Sequence, residues 1–184
     1  MKEKDINKEI WTIGHSTRSV EGFLGLLNEN KIELLADIRS YPGSRCYPHF
    51  NKEELEKTLA VYNIEYIHFK ELGGRRKPKP DSKNTNWKND MFRGYADYME
   101  TEGFKNAAAD LEEIALKKRA IYMCSEAVWW RCHRSLVSDY LKFHGWKVMH
   151  ILDKNKLQEH PYTSQADLKS GLSYGKEQNF SLFE

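Results

Sequence analysis

The chain has 184 residues, of which 40% are hydrophobic and 30% charged, and its net charge is +2. That length and composition suit a single globular domain spanning residues 1–184. The charge is too mild to require a nucleic-acid partner by itself. The opening MKEKDINKEIW lacks the apolar core of a signal peptide, and no apolar run reaches membrane-span length, so a cytoplasmic location with no membrane partner is expected. Cys46, Cys124 and Cys132 make an odd count, which argues for reduced thiols rather than a disulfide framework.

Ile10-Trp11-Thr12-Ile13 reads as a short strand that ends in the loop Gly14-His15-Ser16-Thr17-Arg18. Ser19 can cap a helix with Val20, Phe23, Leu24 and Leu27 on one face. Leu34 to Ile38 is a second strand, followed by the loop Arg39 to Arg45. Asn51 and Glu54 have the spacing of a capping box for a helix through Leu55, Leu59 and Tyr62. Ile64 to Phe69 is a third strand. A long polar stretch, Lys70 to Met91, then carries Gly73-Gly74-Arg75-Arg76-Lys77-Pro78-Lys79-Pro80, and loops of that length are usually functional or disordered.

Helical patterns follow around Tyr95 to Met99 and from Phe104 to Lys117. Ala120 to Met123 is a fourth strand running into Cys124-Ser125-Glu126, and Trp130 to Phe143 reads as a helix closed by Gly145. Lys147 to Leu152 is a fifth strand, and residues 153–184 form a polar, poorly patterned tail. Strands alternating with helices predict a three-layer α/β fold. It has a mostly parallel open sheet of about five strands with helices on both faces.

Ligands of such sheets bind beyond the carboxyl ends of the strands. The unusual polar residues of this chain fall there. His15, Ser16 and Arg18 follow the first strand, and Asp37, Arg39 and Arg45 the second. Gly73, Gly74 and Arg75 follow the third, and Cys124, Glu126, Cys132, His133 and Arg134 the fourth.

These residues support three readings. In the first, Cys124 and Cys132 are reactive thiols of a transferase or hydrolase acting on a phosphorylated or otherwise anionic substrate. A thiol at a helix start beside His133 and Arg134 has a lowered pKa. Glu126 or His133 would move protons, and Arg39, Arg45, Arg75 and Arg134 would bind the anion, with Ser16, Gly73 and Gly74 lining the substrate site. His15 and Asp37 would be orienting partners. Arg131 follows Cys124 by seven residues, one more than a Cys-x5-Arg phosphate loop allows, so neither a phosphatase nor a sulfur transferase of that type is indicated.

In the second reading Cys124, Cys132 and His133 are ligands for zinc or iron, with Glu126, His15 or Asp37 completing or orienting the shell. In the third, Arg75, Arg76, Lys77 and Lys79, followed by Trp87, Phe92, Arg93 and Tyr95, bind a nucleic acid or nucleotide without catalysis. The sequence specifies no cofactor and no oligomeric state.

Several segments together resemble a known family. They are Thr12-Ile13-Gly14-His15-Ser16, Asp37-Ile38-Arg39 with Pro42 and Ser44-Arg45, Leu72-Gly73-Gly74, Phe92 to Met99, Met123 to Glu126, and Trp129 to Arg134. In this order, from about Ile10 to His150, they resemble the bacterial and archaeal domain of unknown function 488. The resemblance implies a compact α/β domain occurring as a standalone cytoplasmic protein, and it implies no reaction, substrate or cofactor. It covers His15, Asp37, Arg39, Arg45, Gly73, Gly74, Cys124, Glu126, Cys132, His133 and Arg134, but not Cys46 as a motif residue, nor the region after Asp153.

Overall fold

Apolar runs become strands, and those at the centre of the sheet are buried on both faces. In the computed structural model, which describes residues 8–175, the strands from these runs are β1 (Glu9–Gly14), β2 (Leu34–Asp37), β3 (Glu65–His68), β4 (Ala120–Cys124) and β5 (Lys147–Asp153). All five lie parallel, in the order β3-β2-β4-β1-β5. A sixth strand, β6 (Lys156–Glu159), pairs antiparallel with β5 at the edge. The five parallel strands are those expected; β6 adds one at the edge and corrects the expectation of an unpatterned tail after Asp153. An exposed edge strand with one neighbour needs little apolar sequence. The last part of that tail, 176–184, lies outside the described residues.

The helices are α1 (Val20–Glu29), α2 (Lys52–Val61), α3 (Asp90–Met99), α4 (Glu102–Lys117) and α5 (Arg134–Phe143). Alternation along the strands sends side chains to two cores. Trp11, Ile13, Leu35, Ile121 and Met123 pack with Phe23 and Leu27 of α1 and Leu55 and Leu59 of α2. Ile10, Leu34, Ala36, Tyr122 and Cys124 pack on the other face with Tyr95 of α3, Phe104 and Leu111 of α4, and Leu136 and Val137 of α5. The sheet is therefore the middle of three layers. No helix among the described residues is long and apolar enough to cross a membrane.

Two local expectations need correction. The Asn51 side chain does not cap α2; its Oδ1 accepts from the Ser44 main-chain N–H instead, closing the loop after β2. Glu54 pairs with Lys57. The segment from Trp130 is not continuous helix: Trp129–Arg131 form a 3-10 turn, Cys132 is extended, and α5 starts at Arg134. The polar stretch after β3 is also anchored. Ser82 Oγ, Asn84 Nδ2 and the Lys79 N–H all donate to the Asp97 carboxylate of α3. Trp87 stacks on Phe92 at 4.7 Å.

Strand order fixes where a ligand can enter. The chain moves outward from β1 to β2 to β3 with α1 and α2 on one face, then returns to β4 and β5 with α3, α4 and α5 on the other. β4 thus lies between two strands whose following helices cover the opposite face. The loops separate there and leave a crevice above the carboxyl ends of β1, β2 and β4. Register aligns those ends, with Gly14 opposite Cys124 and Asp37 opposite Met123.

Candidate functional site

A cavity of about 770 Å³ occupies that crevice. Its floor includes Cys124, Cys132, His133 and Tyr95, and its walls come from the loops after β1, β2, β3 and β4 and from the start of α3.

Cys124 ends β4, and its side chain shares the α5 face of the sheet with Cys132. The 3-10 turn brings the chain back so that Cys132 and His133 sit directly before α5. His133 Nδ1 is 3.8 Å from Cys124 Sγ and 3.6 Å from Cys132 Sγ. All three atoms lie within 4.8 Å of one another. The other ring nitrogen, Nε2, is 3.1 Å from the Ile38 carbonyl. A carbonyl only accepts, so Nε2 carries a proton, and Nδ1 is the ring nitrogen that faces both sulfurs.

The two thiols differ. The hydrogen bond with Cys132, together with burial, pushes Cys124 up to about 12. Burial would raise Cys132 too, but the hydrogen bond from Cys124, the Arg134 charge and the Arg134 main-chain N–H outweigh it and bring the thiol down to about 6. Near neutral pH the pair therefore holds one thiolate and one thiol.

Two glycines let the backbone close around this floor. A Cβ on Gly14 would lie 1.8 Å from the Glu126 carbonyl oxygen, so only glycine lets the loop after β4 cross the end of β1. A Cβ on Gly74 would lie 2.9 Å from His133 Nδ1. Ser40 Oγ donates to the Gly74 carbonyl at 2.7 Å and ties the loop after β2 to the loop after β3. Ser16 and Arg75, both lining the cavity, hold left-handed backbone with φ of 48° and 63°. Such strain in non-glycine residues costs on the order of 1 kcal/mol each and gathers at ligand sites.

Arg39 lies beside the thiols but is nearly sealed. Asp37 accepts from its Nε and Nη2, Phe50 O from Nη2, and His15 Nε2 from Nη1. Tyr66 also donates to Asp37 at 2.8 Å. Burial would lower the Arg39 pKa, but the hydrogen bond and charge of Asp37 raise it, so the guanidinium stays charged. Of its five donors one Nη1 hydrogen remains, on a residue that lines the cavity. His15 donates from Nδ1 to the Ser16 carbonyl and stacks on Phe50 at 4.2 Å. Burial, then the Arg39 charge, lowers its pKa to about 4, so it is neutral at pH 7 and occupied with Arg39.

The remaining residues singled out in the sequence divide. Ser16, Gly74, Arg75 and Glu126 line the cavity. Arg134 is buried below the floor, where its guanidinium donates to Thr12 Oγ1 and the Glu126 and Ala127 carbonyls. It fastens the loop after β4 to β1 and is not among the lining residues. Asp37 and Gly73 support the cavity from behind, and Arg45 and Cys46 are exposed outside its lining.

Sequence reading missed Tyr41 and Arg131 as lining residues. Arg131 directly precedes Cys132, a position that could have flagged it. Tyr95, named in the sequence as a stacking residue, lies at the floor, with its ring 5.1 Å from His133 and its hydroxyl donating to Leu72 O.

The family model described as domain of unknown function DUF488 matches residues 19–141. The chain belongs to this family. The match spans α1 through most of α5 and so includes Cys124, Cys132 and His133. No curated protein and no solved structure matches the chain.

Proposed function

We propose that this DUF488 protein is a metal-dependent enzyme that acts on a small phosphorylated or otherwise anionic substrate in the crevice above β4. The convergence of Cys124 Sγ, Cys132 Sγ and His133 Nδ1 carries this reading. In a tetrahedral zinc site, metal–sulfur bonds of about 2.3 Å and metal–nitrogen bonds of about 2.0 Å put sulfur and nitrogen roughly 3.6 Å apart. The separations of 3.6 and 3.8 Å fit that requirement.

The donor chemistry also fits. Two thiols and an imidazole suit zinc or ferrous iron. The hydrogen bond from His133 Nε2 to Ile38 O is the outer support that metal-binding histidines use to fix ring and tautomer. Cys132 already favours the thiolate that a metal needs. Three protein ligands beside a cavity is the pattern of catalytic rather than structural zinc, and a bound ion would supply a Lewis-acid centre.

The protein's own groups divide the other tasks. Arg75 and Arg131 on the walls attract the anion, and the spare Arg39 donor lies on the same cavity. Glu126 is exposed on the wall and available for proton transfer.

The decisive measurement is elemental mass spectrometry of untagged protein purified anaerobically without chelators. Near-stoichiometric zinc or iron is expected, and Cys124→Ser and Cys132→Ser should each lose it while keeping the wild-type far-ultraviolet circular dichroism. Folded wild-type protein without metal, or metal retained by both variants, would overturn the proposal.

A further inference from the structure

The cavity mouth combines flat apolar surface with cations that lack acidic partners. Tyr41, on the loop after β2, is 71% exposed, and Met91, at the start of α3, is 59% exposed. Both line the cavity, as does Phe92. Large side chains this exposed are uncommon on a surface with no binding role when they gather at one concavity. Arg75, held by its left-handed backbone, places its guanidinium 5.7 Å from the Tyr41 ring centre. Arg131 approaches from the turn before α5. Arg18, Arg39, Arg93 and Arg119 each form an ion pair with a carboxylate; among the described residues Arg75 and Arg131 do not.

A small inorganic anion would use the two arginines and leave Tyr41 and Met91 in water. A purely apolar ligand would cover the ring and leave the arginines unmatched. A ligand with a flat aromatic end and a phosphate end meets both needs, because a tyrosine face with an arginine beside it stacks on a base of any sequence. The cavity volume lies in the range of small-molecule pockets.

We infer that the substrate is a nucleoside monophosphate moiety, its base resting on Tyr41 and Arg75 and its phosphate held by Arg131. This rests on reading the crevice as the substrate site, but not on the metal.

Isothermal titration of the full chain with AMP, GMP, CMP and UMP, against ribose 5-phosphate and adenosine, tests it. Stacking of one base is worth roughly tenfold in affinity or more. At least one nucleotide should therefore bind tenfold tighter than ribose 5-phosphate. Tyr41→Ala should abolish that advantage, while Tyr41→Phe, which keeps the ring, should retain it. Arg131→Ala should weaken the nucleotide to the level of the nucleoside.

Tyr41 and Arg131 are exposed, so these variants fold. A 5′-phosphorylated single-stranded trinucleotide, run alongside, distinguishes a strand end from a free nucleotide as the source of the moiety. Equal binding of ribose 5-phosphate, indifference to Tyr41→Ala, or no nucleotide binding would overturn the inference. Metal content of the same samples separates the two ideas: nucleotide binding by metal-free protein sinks the metal reading alone, and metal without nucleotide binding sinks this one alone.

Discussion

His133 shows how much one side chain depends on its neighbours. Its Nε2 is fixed by Ile38 O, its ring meets Tyr95 at a tilt with centroids 5.1 Å apart, and its Nδ1 is approached by the backbone of Gly74. The Gly74 requirement is one of space, since the added Cβ would stand 2.9 Å from Nδ1 and 3.2 Å from Cγ. In Gly74→Ala the ring has to tilt, and the alignment of Nδ1 with the two sulfurs is lost. Disturbing the outer support of a metal ligand typically costs roughly 10–100-fold in affinity. Zinc-loaded Gly74→Ala is therefore expected, on the proposed metal site, to release the ion to a competing chromophoric chelator at least tenfold more readily than zinc-loaded wild type, with a melting temperature changed by only a few degrees. Unchanged competition would show that Gly74 does not position His133.

Among the elements, α5 joins the cavity floor to the C-terminal segment. Asp139 is fully buried and accepts from four donors: His160 Nε2, the Thr163 N–H, Thr163 Oγ1 and Tyr174 OH. His150 of β5 continues the chain of bonds, 2.9 Å from His160 Nδ1 and stacked on Trp129 at 4.7 Å. Removing this carboxylate leaves several buried donors unpaired, which costs about 3–5 kcal/mol. Asp139→Ala should lower the melting temperature by roughly 10 °C. Amide hydrogen exchange should show lost protection first in residues 160–174. If that segment stays as protected as in wild type, the carboxylate does not fasten it. This network was not legible in the sequence. An Asp within an apolar helix pattern, and histidines in and after a strand, are each common alone, and only the fold brings residues 139, 150, 160, 163 and 174 together. Cys124, Cys132 and His133 were legible as candidates because they follow an apolar strand; their convergence was not, because it depends on the 3-10 turn and the extended Cys132 that precede α5. The parallel strands were legible because helical cover makes them continuously apolar; β6 was not, because its edge position leaves Lys156, Leu157, Gln158 and Glu159 mostly in water.

At the scale of the whole molecule, the same sheet that opens a crevice on one edge buries neutral histidines in its interior, and this makes stability depend on pH. Within the His150 to Asp139 chain, Asp139 accepts from His160 Nε2–H, and His160 Nδ1 lies 2.9 Å from His150 Nε2. His150 Nδ1 is buried without a protein hydrogen-bond partner. The charged groups facing it come from α5, namely Arg134 and, through His160, Asp139. Burial, then His160 and Arg134, lower the His150 pKa to about 2. An unfolded histidine titrates near 6.5. Between these values the unfolded chain binds a proton that the folded chain refuses. Stability therefore falls as the pH drops below about 6.5, by up to roughly 1.4 kcal/mol per pH unit for this one group. His15, lowered to about 4, adds a similar slope over a narrower window. Urea unfolding between pH 7.5 and 5 should show this decline in wild type. His150→Gln, which cannot titrate, should start less stable at pH 7.5 because its hydrogen bond is altered, yet decline with a shallower slope. The slope and not the midpoint is the test: equal slopes in the two proteins would mean that His150 is protonated in the folded state at mildly acidic pH.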